Sequence, residues 1–257
     1  MAELIGGPAA GVTPVERELM ALIKKNFEIP ARLKPSDLDP MRKIVGDDAL
    51  DYLLVIASFH FVNRIADLLD VPLEGLPKPL RRFELLRRLT LRVAGVMLAK
   101  MDLANREYQL TYDNALTNLK SGLAITSQPE LEAALAVFKP RPKLVEVLQL
   151  LLTERDHRSG LDRDILAKIH RAVEKALPAT VIDAQGFHPV PEDPVEGFAF
   201  VGTRYAYRTT RRMIDGLRRK GYDDLAVLDL AIAVADANMW ARLYRLTGLK
   251  PELYYLN

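Results

Sequence analysis

The longest strongly apolar run in the chain extends from Gly46 to Leu69 and carries polar side chains within it. Gly46, Asp47 and Asp48 precede its apolar part, and short acidic residues favour the positive end of a helix. The run predicts a helix of about six turns. One apolar stripe contains Leu50, Leu53, Leu54, Ala57, Phe61, Ile65 and Leu68, and a second apolar side contains Tyr52, Val55, Phe59 and Val62. Apolar character on nearly all sides is typical of a central, buried helix.

Four polar residues form one patch on this predicted helix. His60, Asn63, Arg64 and Asp67 are three or four positions apart, so they are neighbours on the helix surface. A packing network in which each group is satisfied explains such a patch. The alternative is a small enclosed polar pocket, in which His60 transfers protons because imidazole titrates near neutral pH.

Helical spacing recurs along the chain and strand-period alternation is scarce, so the sequence predicts an all-α protein. The predicted helices, separated by Pro and Gly, cover residues 13–26, 40–44, 46–69, 80–100, 104–120, 127–138, 143–154, 161–177, 203–220 and 223–247, with a single turn at 36–38. Residues 178–202 are predicted to form a long irregular loop, which is usually functional or a linker. The 257 residues are expected to form two helical halves, 1–120 and 121–257, or one compact domain.

The last predicted helix carries two carboxylates close to its apolar stripe. Asp229 and Asp236 are seven positions apart on the inward side. Because an unpaired buried charge is costly, these groups require a partner. Arg64 on the central helix is the predicted partner of one of them.

Composition excludes several function classes. The chain has no cysteine, which rules out disulfides, thiolate metal sites and cysteine-based peroxidase chemistry. A net charge of +2 gives no global reason to expect nucleic acid or a membrane as partner. We expect a cytoplasmic protein without cofactor or metal, since the histidine spacing matches no zinc or di-iron motif.

The chain also contains local basic patches and further histidines. Arg204, Arg208 and Arg211 have helical spacing and form a stripe that could bind phosphate or carboxylate. The expected role of this stripe is a solvated or subunit-facing surface, and nucleic-acid binding through the Arg-rich helices is a minor alternative. His157 and His170 are expected on solvated helix faces. His188 lies in the predicted loop.

The last helix repeats features of the central one. Arg242 aligns with Arg64, Asn238 falls opposite His60, and both helices open after a glycine followed closely by aspartate. The pattern suggests an internal duplication.

The segment Phe59 to Asp67 resembles the motif helix of the alkylhydroperoxidase D-like proteins, the carboxymuconolactone decarboxylase superfamily. Its peroxidase-related branches often have phenylalanine, asparagine, an aromatic residue, an apolar residue, asparagine and arginine there. Gly46–Asp48 and Lys220–Asp224 are similar to the superfamily's lead-in to this helix. The resemblance covers residues 40–75 and 203–252. It implies an alkylhydroperoxidase D-like helical fold of two repeats and a homo-oligomer.

Peroxidatic members of the superfamily carry glutamate, eleven residues, cysteine, two residues, cysteine, three residues and histidine. That spacing falls on Asp48, His60, Asn63 and Asp67 of this chain. Since both thiols are missing, the resemblance does not imply a peroxidase. The decarboxylase side of the superfamily needs no thiol, which leaves lactone or carboxylate chemistry open.

We therefore expect a cysteine-free protein that binds or transforms a small polar or anionic molecule in an enclosed pocket. The predicted catalytic residues are His60, Asp67 and Asp48, and the predicted substrate-binding residues are Asn63, Arg64, Asp229, Asp236 and Asn238. The alternative is a non-catalytic oligomeric binding or scaffold protein in which the same residues only support packing.

Overall fold

The computed structural model describes residues 12–69, 135–149, 160–178 and 190–249. Within these ranges the chain forms α-helices and short 3-10 turns without a strand, which confirms the all-α prediction. The predicted helices at 80–100 and 104–120 lie outside the described residues, as do His157 and His188.

The α-helices are labelled in chain order. They are α1 Pro14–Glu28, α2 Asp39–Val45, α3 Ala49–Leu68, α4 over residues 142–149, α5 Arg163–Ala176, α6 Pro194–Arg204, α7 Arg211–Arg219 and α8 Asp224–Thr247. The 3-10 turns lie at Pro30–Arg32, Pro35–Asp37, Gly46–Asp48, Leu135–Phe138 and Ala206–Arg208.

Side-chain caps fix the ends of the long helices. At the start of α1, the Thr13 N–H donates to the Glu16 carboxylate at 2.8 Å and the Glu16 N–H donates to Thr13 Oγ1 at 3.2 Å. At the start of α8, Asp223 accepts from the Ala226 N–H at 2.8 Å. Gly248 ends α8 with φ +76°, a left-handed conformation that glycine adopts without steric cost.

The longest buried run in the described ranges lies on α8, in which every residue from Ala233 to Leu243 is buried. Its C-terminal half shares an apolar cluster with α1, α2, α3 and α4. Its N-terminal half shares a second cluster with α5, α6 and α7, which Leu68 at the end of α3 also joins. The helix that connects both parts of the core is therefore α8.

The prediction that α3 is the central helix, buried on nearly all sides, is wrong. α3 packs along α8, but Val55, Phe59 and Val62 on its second apolar side are 67%, 69% and 55% exposed. Among the described residues, the continuous helical stretch Asp39–Leu68 has the length and apolar composition of a membrane-crossing helix, a property shared by core helices of soluble proteins.

The chain between Asp193 and Lys220 also differs from the prediction. The basic helix expected over 203–220 is two helices, α6 and α7, separated by the turn at Ala206–Arg208. Part of the predicted loop is α6. Asp193 caps the start of this helix, and its carboxylate accepts from the Val195 and Glu196 N–H groups at 3.0 Å. Proline at the first helical position suits a helix start, so Pro194 begins the helix.

One residue that was expected at the surface is interior. His170, expected on a solvated helix face, is buried on α5 and is engaged in interactions there.

Candidate functional site

A cavity of about 120 Å³ lies between the C-terminal half of α3, the ends of α5 and α6, and α8. This is roughly the scale of a cavity that holds one benzene molecule. Apolar side chains from the end of α1 and of α5 cover part of its wall. The polar and charged lining residues are His60, Arg64, Asp67, Thr203, Arg204 and Arg242.

Arg64 reaches from α3 to the last turn of α6. Its Nη1 donates to the carbonyl oxygens of Gly202 and of Thr203, the latter at 3.0 Å. The final carbonyls of a helix lack intrahelical partners, so a cation there stabilises the helix end. Burial lowers the pKa of Arg64 to about 10, and the nearby charge of Asp67 opposes this shift. Arg64 remains a cation at neutral pH.

Arg242 is held in place by Asn238 one turn earlier on α8. Arg242 Nη1 donates to the Asn238 backbone oxygen at 2.8 Å and to its side-chain oxygen at 3.0 Å. Asn238 Nδ2 donates to Thr203 Oγ1 at 3.0 Å, and this hydroxyl donates to the Ala199 carbonyl at 2.8 Å. The network links α8 to α6 behind the cavity, so Asn238 orients Arg242 and does not itself line the cavity.

Arg204, the last residue of α6, is 5% exposed. Its guanidinium carbon lies 5.2 Å from the centre of the Phe200 ring and 5.8 Å from that of Tyr205. Among the described residues, its Nε and Nη2 are buried without a hydrogen-bond partner. Aromatic rings stabilise a guanidinium through its face and leave the N–H donors at its edge unused.

The Nε atoms of Arg64 and Arg242 are also buried without a hydrogen-bond partner in the part of the chain described. Burial strongly lowers the pKa of Arg242, and the positive charges of Arg64 and Arg245 lower it further, whereas Glu174 opposes the shift. Like charges are therefore held together in a poorly solvated space, which costs free energy unless opposite charge is supplied.

His60 lines the cavity between these cations. Burial, followed by the positive charges of Arg242 and Arg64, lowers the pKa of His60 to about 3. The imidazole is consequently neutral at physiological pH and offers one hydrogen-bond donor and one acceptor.

Asp67 is the acidic residue that lines the cavity. Its side chain is exposed to solvent, but partial desolvation at the cavity wall raises the pKa of Asp67, and the positive charge of Arg64 opposes that shift. Among the described lining residues, one solvated carboxylate and three guanidinium groups share the cavity, so positive charge is in excess there.

Several predicted site residues are elsewhere. Asp48 is exposed beyond the start of α3 and pairs with Arg141 Nη1 at 2.9 Å. It lies roughly 18 Å along the helix axis from His60, so the structure does not bring these two predicted catalytic residues together. Asn63 is half-buried on α3 but does not line the cavity.

The predicted pairing of Arg64 with an α8 carboxylate is also wrong. Within the described ranges, Arg64 bonds to α6 carbonyl oxygens and forms no ion pair with Asp229 or Asp236. Asp229 is half-buried beside Gly160, where a Cβ would lie 3.1 Å from its Oδ2. Asp236 is buried, is engaged in other interactions and does not line the cavity.

No family model, curated protein or solved structure matches this chain. Membership of the alkylhydroperoxidase D-like superfamily accordingly stays a prediction based on the motif helix. Across the described residues, no group of three or more His, Asp and Glu side chains is placed to hold a metal ion. The function is therefore inferred from the charged and hydrogen-bonding groups that line the cavity.

Two arginines of the cavity were not predicted as site residues. Arg242 aligned with Arg64 in the internal repeat, and that alignment was a usable signal for it. Arg204 was assigned to an exposed stripe because one continuous helix was assumed from 203 to 220. The aromatic residues on either side, Phe200 and Tyr205, are the sequence feature that fits a buried guanidinium.

Proposed function

We propose that this protein binds a small anionic molecule in the cavity between α3, α6 and α8. The observation that carries the proposal is that three guanidinium groups, those of Arg64, Arg204 and Arg242, line one cavity. Arg204 also has an unused donor edge. Nε and Nη2 lie on the same edge of the group and form a fork that matches two oxygens of a carboxylate or phosphate. Both atoms are buried without a hydrogen-bond partner among the described residues.

The other two arginines fit the same function. Arg64 and Arg242 each use Nη1 to bond to protein oxygens, which fixes the position of their charge. A site whose cations are positioned before the ligand arrives loses less entropy on binding. The cavity volume of about 120 Å³ limits the enclosed part of the ligand to a few non-hydrogen atoms.

His60 supplies the group through which this site could also transfer a proton. Its pKa is low because burial and two cations disfavour the imidazolium ion. A bound anion would add the opposite charge next to the ring and raise that pKa. Proton transfer by His60 is therefore coupled to occupancy of the site, and the protein without ligand has no acid at this position.

Similarity between the two halves of the site supports the proposed relationship to two-repeat alkylhydroperoxidase D-like proteins. Gly46, with φ +62°, follows a short helix and precedes α3, and Gly221, with φ +95°, follows α7 and precedes α8. Arg64 and Arg242, at corresponding positions of these two long helices, line one cavity. A carboxylate or lactone ligand would agree with this relationship.

The test is a thermal unfolding series with small anions at constant ionic strength. An anion at 100 times its Kd stabilises the native state by about 2.7 kcal/mol, which raises the Tm by roughly 5–10 °C for a chain of this size. We expect sulfate, phosphate or a small dicarboxylate to produce such a shift in the wild type.

Arg204→Gln should abolish the shift, and Arg212→Gln, an exposed arginine on α7, should leave it intact. The control is needed because sulfate and phosphate stabilise most proteins by exclusion from their surfaces. Equal shifts in the wild type and in Arg204→Gln would contradict the proposal.

A further inference from the structure

The charge of the cavity narrows the class of ligand. Arg64, Arg204 and Arg242 contribute three positive charges, and Asp67 contributes one negative charge. Among the described lining residues, the formal excess is therefore two positive charges when His60 is neutral. A singly charged ligand would balance only half of this excess, which is unfavourable in a poorly solvated site.

The three cations also approach from different directions. Arg64 extends from α3, Arg204 from the end of α6 and Arg242 from α8. Each retains a buried Nε without a hydrogen-bond partner among the described residues, and Arg204 retains Nη2 as well. A planar carboxylate has two oxygens in one plane, whereas a phosphoryl group has three oxygens that point in three directions and accepts strong hydrogen bonds at each.

We infer that the cavity binds a phosphoryl group in its dianionic form, either as inorganic phosphate or as a small phosphate monoester. This inference rests on the proposed anion-binding function and adds the ligand class to it. The Arg204 fork binds two of the oxygens, and Arg64 and Arg242 neutralise the remaining charge.

Isothermal titration calorimetry at pH 7.5 and low ionic strength provides the test. The probes are inorganic phosphate, glycerol phosphate, sulfate, malonate and acetate, which separate charge from shape. We expect phosphate or glycerol phosphate to bind at least tenfold more tightly than acetate and more tightly than malonate. Sulfate, a tetrahedral dianion, should follow the phosphates. Tighter binding of inorganic phosphate identifies the free ion as the ligand, and tighter binding of glycerol phosphate identifies an ester.

Two variants connect the affinity to the proposed geometry. Arg204→Lys keeps the charge but loses the fork, so phosphate affinity should fall about tenfold, with circular dichroism and the melting curve as checks of folding. Asp67→Asn removes the opposing charge at an exposed position, so phosphate should bind severalfold more tightly. Arg212→Gln is the control and should bind phosphate as the wild type does.

The outcomes test anion binding separately from the assignment of the anion as a phosphoryl group. Equal affinity for phosphate and acetate, with dependence on Arg204, would overturn the phosphoryl assignment and leave anion binding in place. The tightest binding by malonate would likewise replace phosphate with a dicarboxylate. Absence of binding by every probe would overturn anion binding itself.

Discussion

Arg64, Arg204 and Arg242 are chemically identical but have different roles at the residue scale. Nη1 of Arg64 caps the last turn of α6, and Nη1 of Arg242 is fixed by Asn238. Arg204 is held by the faces of two aromatic rings and keeps its donor edge unused. We therefore assign a mixed structural and binding role to Arg64 and Arg242, and ligand recognition to Arg204.

Replacement of Arg64 tests its role as a helix cap. Arg64→Ala removes hydrogen bonds from a charged donor to the Gly202 and Thr203 carbonyl oxygens, and the free energy of unfolding should fall by about 1.5–3 kcal/mol. Denaturant titration measures this loss. In a double-mutant cycle with Asp236→Ala the coupling should stay below about 0.5 kcal/mol. A coupling of several kcal/mol would instead indicate an ion pair between Arg64 and Asp236, and would contradict the hydrogen bonds from Arg64 to the carbonyl oxygens of α6.

The pKa of His60 predicts how stability depends on pH. In the native state its pKa is about 3, below the ordinary value of 6.5 for a solvated imidazole. Below pH 6.5 the histidine of the unfolded chain therefore binds a proton that native His60 does not bind. The stabilisation is present above pH 6.5 and is lost as the pH falls towards 3. The slope is at most about 1.4 kcal/mol per pH unit for one proton.

Denaturant titrations of the wild type and His60→Gln between pH 7 and pH 5 isolate this effect, because other titrating groups contribute to both proteins. The wild type should lose stability more steeply than the variant. Identical slopes would mean that His60 is solvated and titrates normally, despite the Arg64, Arg242 and Asp67 groups around it.

Part of the site could be predicted at this scale. His60, Arg64 and Asp67 follow from the position of polar residues within an apolar helix, and the structure places all three at the cavity. The pairing of Arg64 could not be predicted, because a helical wheel gives direction but not the identity of the neighbouring element. The α6 carbonyl oxygens that bind Arg64 carry no sequence signature.

At the scale of elements, α6 brings the site together. Gly202 lies where α6 crosses α3 and α8, and a Cβ there would come within 2.8 Å of Leu68 Cδ2 and 2.9 Å of Val234 Cγ1. Such distances require neighbouring side chains to shift. The absence of a side chain at Gly202 therefore allows the close approach that puts Arg204 into the cavity.

Substitution of Gly202 tests this close approach. Gly202→Ala overpacks the crossing and should lower the free energy of unfolding by about 1–3 kcal/mol. Gly216→Ala on α7 is the matched control: its Cβ would meet only the end of Arg219 at 3.8 Å, so better helix propensity should stabilise the protein by about 0.5–1 kcal/mol. Equal effects of the two substitutions in denaturant titrations would contradict the packing argument.

Helices could be predicted where residues close together in the sequence mark the helix start. The starts of α1 and α8 follow from Thr13 with Glu16 and from Asp223, because a cap is a short-range hydrogen bond. α6 was missed because several prolines and glycines nearby are typical of loops. The capping signal of α6, Asp193 followed by Pro194, is present in the sequence, but the nearby prolines and glycines favoured a loop prediction.

At the scale of the whole molecule, the exposed apolar side of α3 is relevant to assembly. Val55, Phe59 and Val62 have helical spacing and are solvent-exposed in the single chain. Contiguous exposed apolar side chains are typical of protein interfaces. The homo-oligomer expected from the superfamily resemblance would cover them.

Light scattering after size exclusion tests this expectation. We expect a mass that is a multiple of the 28.9 kDa chain, and Phe59→Lys should shift it towards the monomer because a charge would be buried in the interface. Ile44→Lys, at another exposed apolar position, is the control and should keep the wild-type mass. A wild-type monomer at high micromolar concentration would exclude the oligomer.

A crystal structure of the protein soaked with selenate, from crystals grown without sulfate or phosphate, would show directly whether an anion binds in the cavity. Selenate is a tetrahedral dianion with a strong anomalous signal. We expect an anomalous peak in the cavity with oxygens within hydrogen-bonding distance of Arg204 Nε and Nη2, and with Arg64 and Arg242 beside it. An empty cavity at a saturating selenate concentration, or an Arg204 fork occupied by a protein carboxylate, would contradict it.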